Sequence, residues 1–309
     1  MNKQIRALLG LSFGHFNIDL YAAILVPLYP VITAKLGINL ASISLIIALG
    51  HLVSSMMQPL FGYFADCLRH RVFMVWGLVL SSVFIPLAIK TNTVFLFLAC
   101  LLTGMIGNAF FHPQVSALIK DFNKNNPNLS RAMGIFLGLG TIGYAIGPYV
   151  ATLVYKLKNE DGLLYLIIPG LLSVIFMYFF VPRMPEKDCY IKENFFVIIK
   201  EILKNKTCVF LLLISTIKSA VSISFGTYIP FLLQNKGFSL QQTGLIVTLF
   251  FISGGLATIV SSKFEKKLGA KGVIVLSFLT ILPLTIAFLI LLKNPILFSF
   301  YLKRIFYTS

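Results

Sequence analysis

The sequence predicts an all-α, polytopic membrane protein, and three observations lead to this fold class. Hydrophobic residues make up 58% of the 309 residues and charged residues only 12%, which leaves too little polar surface to cover a water-soluble globule. The apolar residues are gathered in runs of about 20, the length that crosses a bilayer as a helix. Most of the basic residues lie between these runs, as they do in loops that set membrane topology.

Nine apolar runs are long enough to span a membrane. They cover 7–33, 41–63, 72–90, 93–119, 131–156, 162–182, 207–233, 242–262 and 272–292. Between Pro295 and Lys303 too few residues remain to cross about 30 Å of hydrocarbon at about 1.5 Å per residue. The sequence therefore predicts about nine transmembrane helices followed by the stump of a tenth.

The lysines and arginines predict the orientation of the chain. If the N-terminus is cytoplasmic, most of the basic residues fall on the inner side, including those of 183–206 and 263–271. The net charge of +16 is then a topology signal, and no nucleic-acid partner is predicted.

One long hydrophilic interval divides the chain. Residues 183–206 are rich in charges of both signs and are interpreted as a cytoplasmic linker, in which 195–204 has the pattern of an amphipathic surface helix. The predicted domains are an N-terminal six-helix bundle at 1–182, this linker, and a partial C-terminal bundle at 207–309 with three helices and the start of a fourth. A shift of 200 residues also aligns Pro30 with Pro230 and Gly37 with Gly237, which favours two related halves over a chance match.

The loop after the second run carries a family signature. Residues 62–71 read GYFADCLRHR and resemble the loop of the major facilitator superfamily, in which a glycine, an alanine-aspartate pair and basic residues form a tight turn. The sequence departs from the signature at Cys67 and Arg69. The resemblance implies a fold of two six-helix halves, of which this chain would hold a complete first half and an incomplete second half.

The same loop predicts a cytoplasmic gate. A small Gly62 lets helices approach, and Asp66 can form charge-assisted bonds with basic groups that must break when the protein changes state. The alternative is that the bases are only positive-inside anchors. The predicted gate residues are Gly62, Asp66, Arg69, Arg71 and, in the corresponding loop of the second half, Glu265.

Glycines line one face of the fifth run. This face is nearly bare and should pack closely against a neighbour. Gly143, Gly147 and Pro148 resemble the fifth-helix signature of major facilitator exporters that exchange substrate for protons. Ordinary small-residue helix packing explains the glycines as well.

The first and fourth runs narrow the resemblance to one branch. Residues 14–23 read GHFNIDLYAA, residues 110–117 read FFHPQVSA, and with QPLFG at 58–62 they are similar to the fosmidomycin-resistance branch. A charged residue within a span costs roughly 2.5–3.5 kcal/mol, so Asp19 is expected to face a polar interior. His15 lies one turn before Asp19 and can change charge near neutral pH, so the pair is the candidate for proton coupling, unless it is a static pair.

Further polar residues within the spans are candidates for the wall of a substrate cavity. His112 precedes a helix-opening Pro113 and either faces a substrate or caps the end of its helix. Lys218 lies beside the residue paired with Asp19 by the repeat and would supply the positive charge that an anionic substrate requires. The predicted cavity residues are Tyr21, Gln58, His112, Gln114 and Lys218.

The resemblance implies transport by alternating access, as proton-coupled efflux of a small drug-like or anionic compound, and hence an antiporter linked to antibiotic resistance. The expected setting is the bacterial inner membrane, with the lipid bilayer and a small-molecule substrate as partners and a monomer as the assembly. No enzyme activity, metal or other cofactor is predicted, because the sequence lacks a nucleophile elbow and clustered metal ligands, and its four cysteines form no metal-binding pair. The alternatives are an inactive fragment of such a transporter and a membrane sensor.

Overall fold

The computed structural model describes residues 2–67, 71–122, 129–182 and 194–293, and within these ranges the chain is helical without strands. The all-α prediction is confirmed. The helices are α1 (Lys3–Ala23), α2 (Tyr29–Leu36), α3 (Leu40–Cys67), α4 (Val72–Ala88), α5 (Val94–Phe122), α6 (Leu129–Leu164), α7 (Ile167–Phe180), α8 (Phe195–Lys204), α9 (Lys206–Asn235) and α10 (Leu240–Lys293).

Each predicted span has a helical counterpart. Among the described residues, six helical stretches have the length and apolarity to cross a membrane, namely 3–36, 40–65, 94–122, 132–164, 206–235 and 240–257, and shorter apolar helices lie at 72–88, 167–180 and 271–281. Three irregularities within the helices were not predicted from the sequence. The first span is interrupted by a 3-10 turn at Val26–Leu28, α6 is kinked at Lys158 and Asn159, and α10 runs through two predicted spans with a break at Gly269.

The chain forms two compact units, Met1–Gly255 and Leu256–Ser309. The boundary falls inside α10, at a different place from the predicted linker at 183–206. The division into an N-terminal bundle at 1–182, a linker at 183–206 and a partial C-terminal bundle at 207–309 stays a prediction. Part of the linker is helical, because α8 occupies the segment predicted as an amphipathic helix.

The first unit is organised around α1, which packs against α4, α5, α6 and α7. Its contact with α6 depends on glycines. A Cβ atom on Gly143 would lie 2.0 Å from the carbonyl oxygen of Phe16, and one on Gly147 would lie 2.7 Å from that of Leu20. The glycine face predicted for the fifth span therefore brings two helix backbones into direct contact.

Replacing Gly143 by Ala is expected to destabilise the protein. The added methyl group meets backbone rather than a movable side chain, and overpacking of this kind costs about 1–3 kcal/mol. Gly138→Ala is the matched control on the same helix, because no atom lies within 4 Å of its Cβ position. Thermal unfolding in detergent should show a lower midpoint for Gly143→Ala alone, and equal midpoints for both variants would contradict the packing.

The internal repeat is visible in the backbone. Gly37 and Gly237 both adopt left-handed conformations, with φ of 63° and 83°. The residue after each glycine donates its N–H to the carbonyl five residues earlier, from Ile38 to Thr33 and from Phe238 to Leu233, both at 3.1 Å. The same helix-ending turn thus occurs 200 residues apart, and the next helix starts at Leu40 in one copy and Leu240 in the other.

Ion pairs join the elements at the end of the bundle where α2 ends. Lys35 contacts Glu160 at 2.7 Å and donates to the carbonyl of Ile89 at 2.8 Å. Lys90 contacts Asp161 at 2.7 Å, and the hydrogen bond with this carboxylate raises the pKa of Lys90. These contacts tie α2 and the α4–α5 connection to the kinked end of α6.

Candidate functional site

Two histidines hold Asp19 inside the bundle. His15 Nε2 lies 3.3 Å from Asp19 Oδ2, and His112 Nε2 lies 3.4 Å from Asp19 Oδ1. His15 and Asp19 are one turn apart on α1, whereas His112 comes from α5. The side chains of Asp19 and His112 are 18% and 24% exposed, so the cluster is largely enclosed but not sealed.

The hydrogen bond at Nδ1 of His15 determines whether Nε2, the nitrogen that faces Asp19, acts as a donor or an acceptor. His15 Nδ1 lies 2.8 Å from the carbonyl oxygen of Phe136 on α6. A carbonyl only accepts, so Nδ1 must carry a hydrogen, and Nε2 of the neutral ring is then an acceptor. The lone pair of His15 Nε2 would then face the negatively charged Asp19 carboxylate, which is unfavourable unless a proton lies between the two groups. The pair His15–Asp19 is therefore built to hold one additional proton.

The surroundings of His15 favour this one position of the ring. The Phe136 ring stacks on it with centroids 4.1 Å apart. A Cβ atom on Gly140 would lie 2.4 Å from His15 Cε1 and 2.6 Å from Asp19 Oδ2. Glycine at this position of α6 is thus what allows the histidine and the carboxylate to meet.

The cluster has one further chemical capacity. Its three ligand atoms lie within 4.8 Å of one another, and imidazole nitrogens and carboxylate oxygens are also the atoms that bind divalent metals. The absence of a metal, expected from the sequence, stays a prediction.

A cavity of about 780 Å³ lies between α3 and α9. Its volume falls within the range of sites that bind small molecules, about 300–1,000 Å³. Its wall is formed by Ser44, Ala48, His51, Leu52, Ser55, Met56 and Gln58 of α3 and by Leu212, Ser215, Thr216, Ser219, Ala220, Ile223, Ser224, Thr227 and Tyr228 of α9. This wall combines apolar side chains with hydroxyl groups, and among the described residues it carries no lysine, arginine, aspartate or glutamate.

Several hydroxyl groups line the α9 side of the cavity, and three of them form hydrogen bonds with their own helix. Thr216, Ser224 and Thr227 each donate to the carbonyl four residues earlier in α9, which leaves their oxygens as acceptors. Ser215 and Ser219 line the same wall as further hydroxyls. A ligand in this cavity would therefore meet groups that orient it by hydrogen bonds rather than by opposite charge.

Helix α9 is packed against the bundle near its C-terminal end and is exposed along much of the rest. The buried residues of α9 all lie in its last third, at Gly226, Thr227, Pro230 and Leu233, where the helix meets α2 and the Val26–Leu28 turn. The first half of α9, from Lys206 to Ala220, is largely exposed. The α9 wall of the cavity is therefore least covered by protein toward the end where α9 begins.

The five predicted cavity residues lie in different environments, and of these only Gln58 lines the cavity. Gln58 lines the cavity, and His112 belongs to the Asp19 cluster instead. Tyr21 is fully buried and donates its hydroxyl to the carbonyl of Leu166 at 2.5 Å, which ties α1 to the start of α7. Gln114 is buried and accepts from the Met74 N–H at 2.7 Å, which caps the first turn of α4. Lys218 is exposed on α9 and is not part of the cavity wall.

The predicted gate is described only in part. Gly62 faces α5, where a Cβ atom would lie 3.5 Å from the Cβ of Pro113, an ordinary contact distance. Arg71 donates to the carbonyl of Tyr178, and Arg6 donates to that of Phe179 at 2.7 Å, so both bases bind the last turn of α7. Arg69 and the side chains of Asp66 and Glu265 lie outside the described residues.

Comparison with known proteins decides the family. Residues 11–306 match the sequence model of the Major Facilitator Superfamily. The chain belongs to this superfamily. It is 24% identical to the "Fosmidomycin resistance protein" of Escherichia coli (strain K12) over 291 residues, which are 90% of this chain and 69% of that protein.

Other relatives of this major facilitator protein have names that refer to different compounds. It is 26% identical over 253 residues to the "Probable nitrate transporter NarT" of Staphylococcus epidermidis, covering 79% of this chain and 63% of that protein. It is 26% identical over 176 residues to the "Quinolone resistance protein NorA" of Staphylococcus aureus, covering 57% of this chain and 44% of that protein. The chain thus spans 44% to 69% of the length of these relatives. Together they support membrane transport as its general role.

Sequence reasoning missed two parts of this major facilitator site. His51, which was not among the predicted cavity residues, lines the cavity. The hydroxyl residues of the α9 wall fall within one half of the helix circumference, and this spacing was the signal that one face of the helix carries hydroxyl groups; they are Ser215, Thr216, Ser219, Ser224 and Thr227.

Proposed function

We propose that this protein exports a small compound from the cytoplasm by alternating access, in exchange for protons that bind at Asp19 and His15. The observation that carries the proposal is the hydrogen-bond pattern of His15, which leaves room for one proton between its Nε2 and Asp19. A charge held within a span is costly unless it has such a partner. The setting is the bacterial inner membrane, with the protein acting as a monomer and the N-terminus in the cytoplasm.

The protonation state of the cluster offers a physical basis for coupling. With the proton bound, His15 and Asp19 together are neutral; without it, the pair carries one negative charge inside the bundle. The neutral cluster tolerates a closed, dry environment, whereas the charged one favours contact with water. Gain and loss of the proton therefore bias the bundle between two states, which is what exchange transport requires.

The cavity between α3 and α9 is the proposed substrate site. In the predicted orientation its least covered end faces the cytoplasm, because α9 begins on that side. Closure would swing the exposed first half of α9 toward α3 about its packed C-terminal end. The loop residues Gly62, Asp66, Arg69, Arg71 and Glu265 are proposed to form the cytoplasmic gate, and Gly143, Gly147 and Pro148 to belong to the exporter signature.

Fosmidomycin-type compounds are the proposed substrates, and Lys218 the proposed partner of an anionic group. Its exposed position on α9 makes this role dependent on a further movement of the helix. Lys218→Gln is expected to weaken transport of fosmidomycin, an anion, more strongly than transport of a zwitterionic fluoroquinolone, whose net charge is near zero. Uptake of both compounds into everted vesicles measures this, and equal rates for Lys218→Gln and wild type would remove Lys218 from the proposal.

The function is tested in everted membrane vesicles that contain the protein. Fosmidomycin, nitrate and a quinolone serve as probe compounds, and an imposed proton gradient drives uptake. We expect uptake of at least one probe that collapses when a protonophore is added. A protein that inserts normally but moves none of the probes would favour the alternatives, an inactive fragment or a membrane sensor.

A further inference from the structure

Helix α8 is joined to the membrane-spanning α9 by a single residue. Asn205 ends α8, and its side-chain oxygen accepts from the N–H groups of Thr207 and Cys208 at 3.0 and 3.2 Å, which caps the first turn of α9. No flexible connection separates the two helices. Since α9 crosses the bilayer, α8 must lie at the bilayer surface where α9 enters it.

The residues of α8 divide into two faces. At about 3.6 residues per turn, Phe195, Phe196, Ile198, Ile199, Ile202 and Leu203 share an apolar face, and Lys200, Glu201 and Lys204 share the opposite face with Val197. The protein buries no residue of this helix. Phe195 contacts the Tyr63 ring of α3 with centroids 5.5 Å apart, whereas Phe196 and Leu203 are 77% and 60% exposed.

The charges near this apolar face are mainly positive. Among the described residues 194–206 there are three lysines, Lys200, Lys204 and Lys206, and one acidic residue, Glu201, which contacts Lys204 at 2.7 Å. A helix with an exposed apolar face and lysines on its polar side is suited to the boundary between headgroups and acyl chains. Each lysine near an anionic bilayer surface adds attraction.

We propose that α8 is an interfacial helix that binds anionic phospholipids: Phe196 and Leu203 enter the acyl-chain region, and Lys200, Lys204 and Lys206 contact phosphate headgroups. The single-residue joint to α9 favours lipid over a soluble protein as the partner, because it holds the apolar face at the depth of the membrane surface. Phe195 on Tyr63 places the other end of α8 against α3. The helix therefore bridges the two walls of the cavity along the membrane surface.

Tryptophan fluorescence in reconstituted protein tests the proposal. The chain has one tryptophan, Trp76, which is replaced by Phe to give a silent background. Phe196→Trp reports on the apolar face, Leu203→Trp is a second reporter on the same face, and Val197→Trp is the matched control on the polar face. The full-length variants are placed in bilayers that contain brominated phosphatidylglycerol or brominated phosphatidylcholine.

We expect blue-shifted emission from Phe196→Trp and Leu203→Trp, with strong quenching by the brominated lipids. Val197→Trp should instead be quenched by acrylamide in water. Quenching of the tryptophan at position 196 should be stronger with brominated phosphatidylglycerol than with brominated phosphatidylcholine. This difference should be lost in high salt and in a Lys200→Gln, Lys204→Gln, Lys206→Gln variant.

Three results would overturn the proposal. Equal lipid quenching at positions 196 and 197 would show that the helix has no fixed orientation in the bilayer. Protection of position 196 from both lipid and acrylamide would mean that protein covers this face. Equal quenching by the two lipids would remove the anionic headgroup as the partner. The readout does not depend on transport, so these results are independent of the proposed function.

Discussion

Replacing Asp19 by Asn is expected to abolish proton-driven transport while the protein still inserts and folds. Asparagine keeps the size of the side chain and can still contact His15, but it removes the charge that holds the proton. A hydrogen bond to a charged group is worth about 1.5–3 kcal/mol, so proton occupancy of the site should fall roughly 10- to 100-fold. Proton flux driven by substrate, followed with a pH-sensitive dye inside vesicles, measures the loss.

Asp161→Asn is the matched control for this substitution. Asp161 is exposed, pairs with Lys90 at the far end of α6 and lies outside the cluster. Its neutralisation should leave substrate-driven proton flux at the wild-type level. An Asp19→Asn protein that still exchanges protons for substrate would place the coupling group elsewhere in the chain.

Replacing Ser219 by Phe is expected to block transport of every probe compound. Ser219 lies in the middle of the α9 wall, and a benzyl group there fills part of the cavity of about 780 Å³ and hinders the approach of α9 to α3. The Asp19 cluster is not altered by this change. The variant should therefore lose substrate uptake in vesicles and also binding of the probes to the purified protein.

Ser222→Phe carries the same change three residues further along α9. Ser222 is exposed and is not part of the cavity wall. Transport by this control should be close to that of the wild type. If both serine variants lost transport to the same degree, the effect would belong to α9 as a whole, and the cavity would not be the substrate site.

The helices of this protein could be predicted from sequence because bilayer thickness imposes a length on apolar runs. Their breaks were less predictable. Proline and glycine occur in many of the helices, and only tertiary packing decides that Pro27 lies in a 3-10 turn while Pro59 and Pro148 remain within helices. Similarly, the polar segment between the last two predicted spans is helical up to a single break at Gly269, where a longer loop was expected.

The candidate site could be predicted only where its residues are close in sequence. His15 and Asp19 are one helical turn apart, so their pairing follows from helix geometry. The contributions of His112, Phe136 and Gly140 depend on how α5 and α6 pack on α1, and no spacing in the sequence encodes that contact. For Lys218 the repeat predicted the position along α9, but it could not predict which side of the helix the residue occupies.

The most direct test of the account is the protonation state of His15 in the bilayer. Nitrogen-15 magnetic resonance of protein labelled at its four histidines resolves the two ring nitrogens, and the His15→Gln variant identifies the signals of His15. The account predicts that Nδ1 of His15 carries a hydrogen throughout, that Nε2 gains and loses a proton as the pH changes, and that Asp19→Asn alters this exchange. A bare Nδ1, or an Nε2 that never takes up a proton while Asp19 is present, would contradict it.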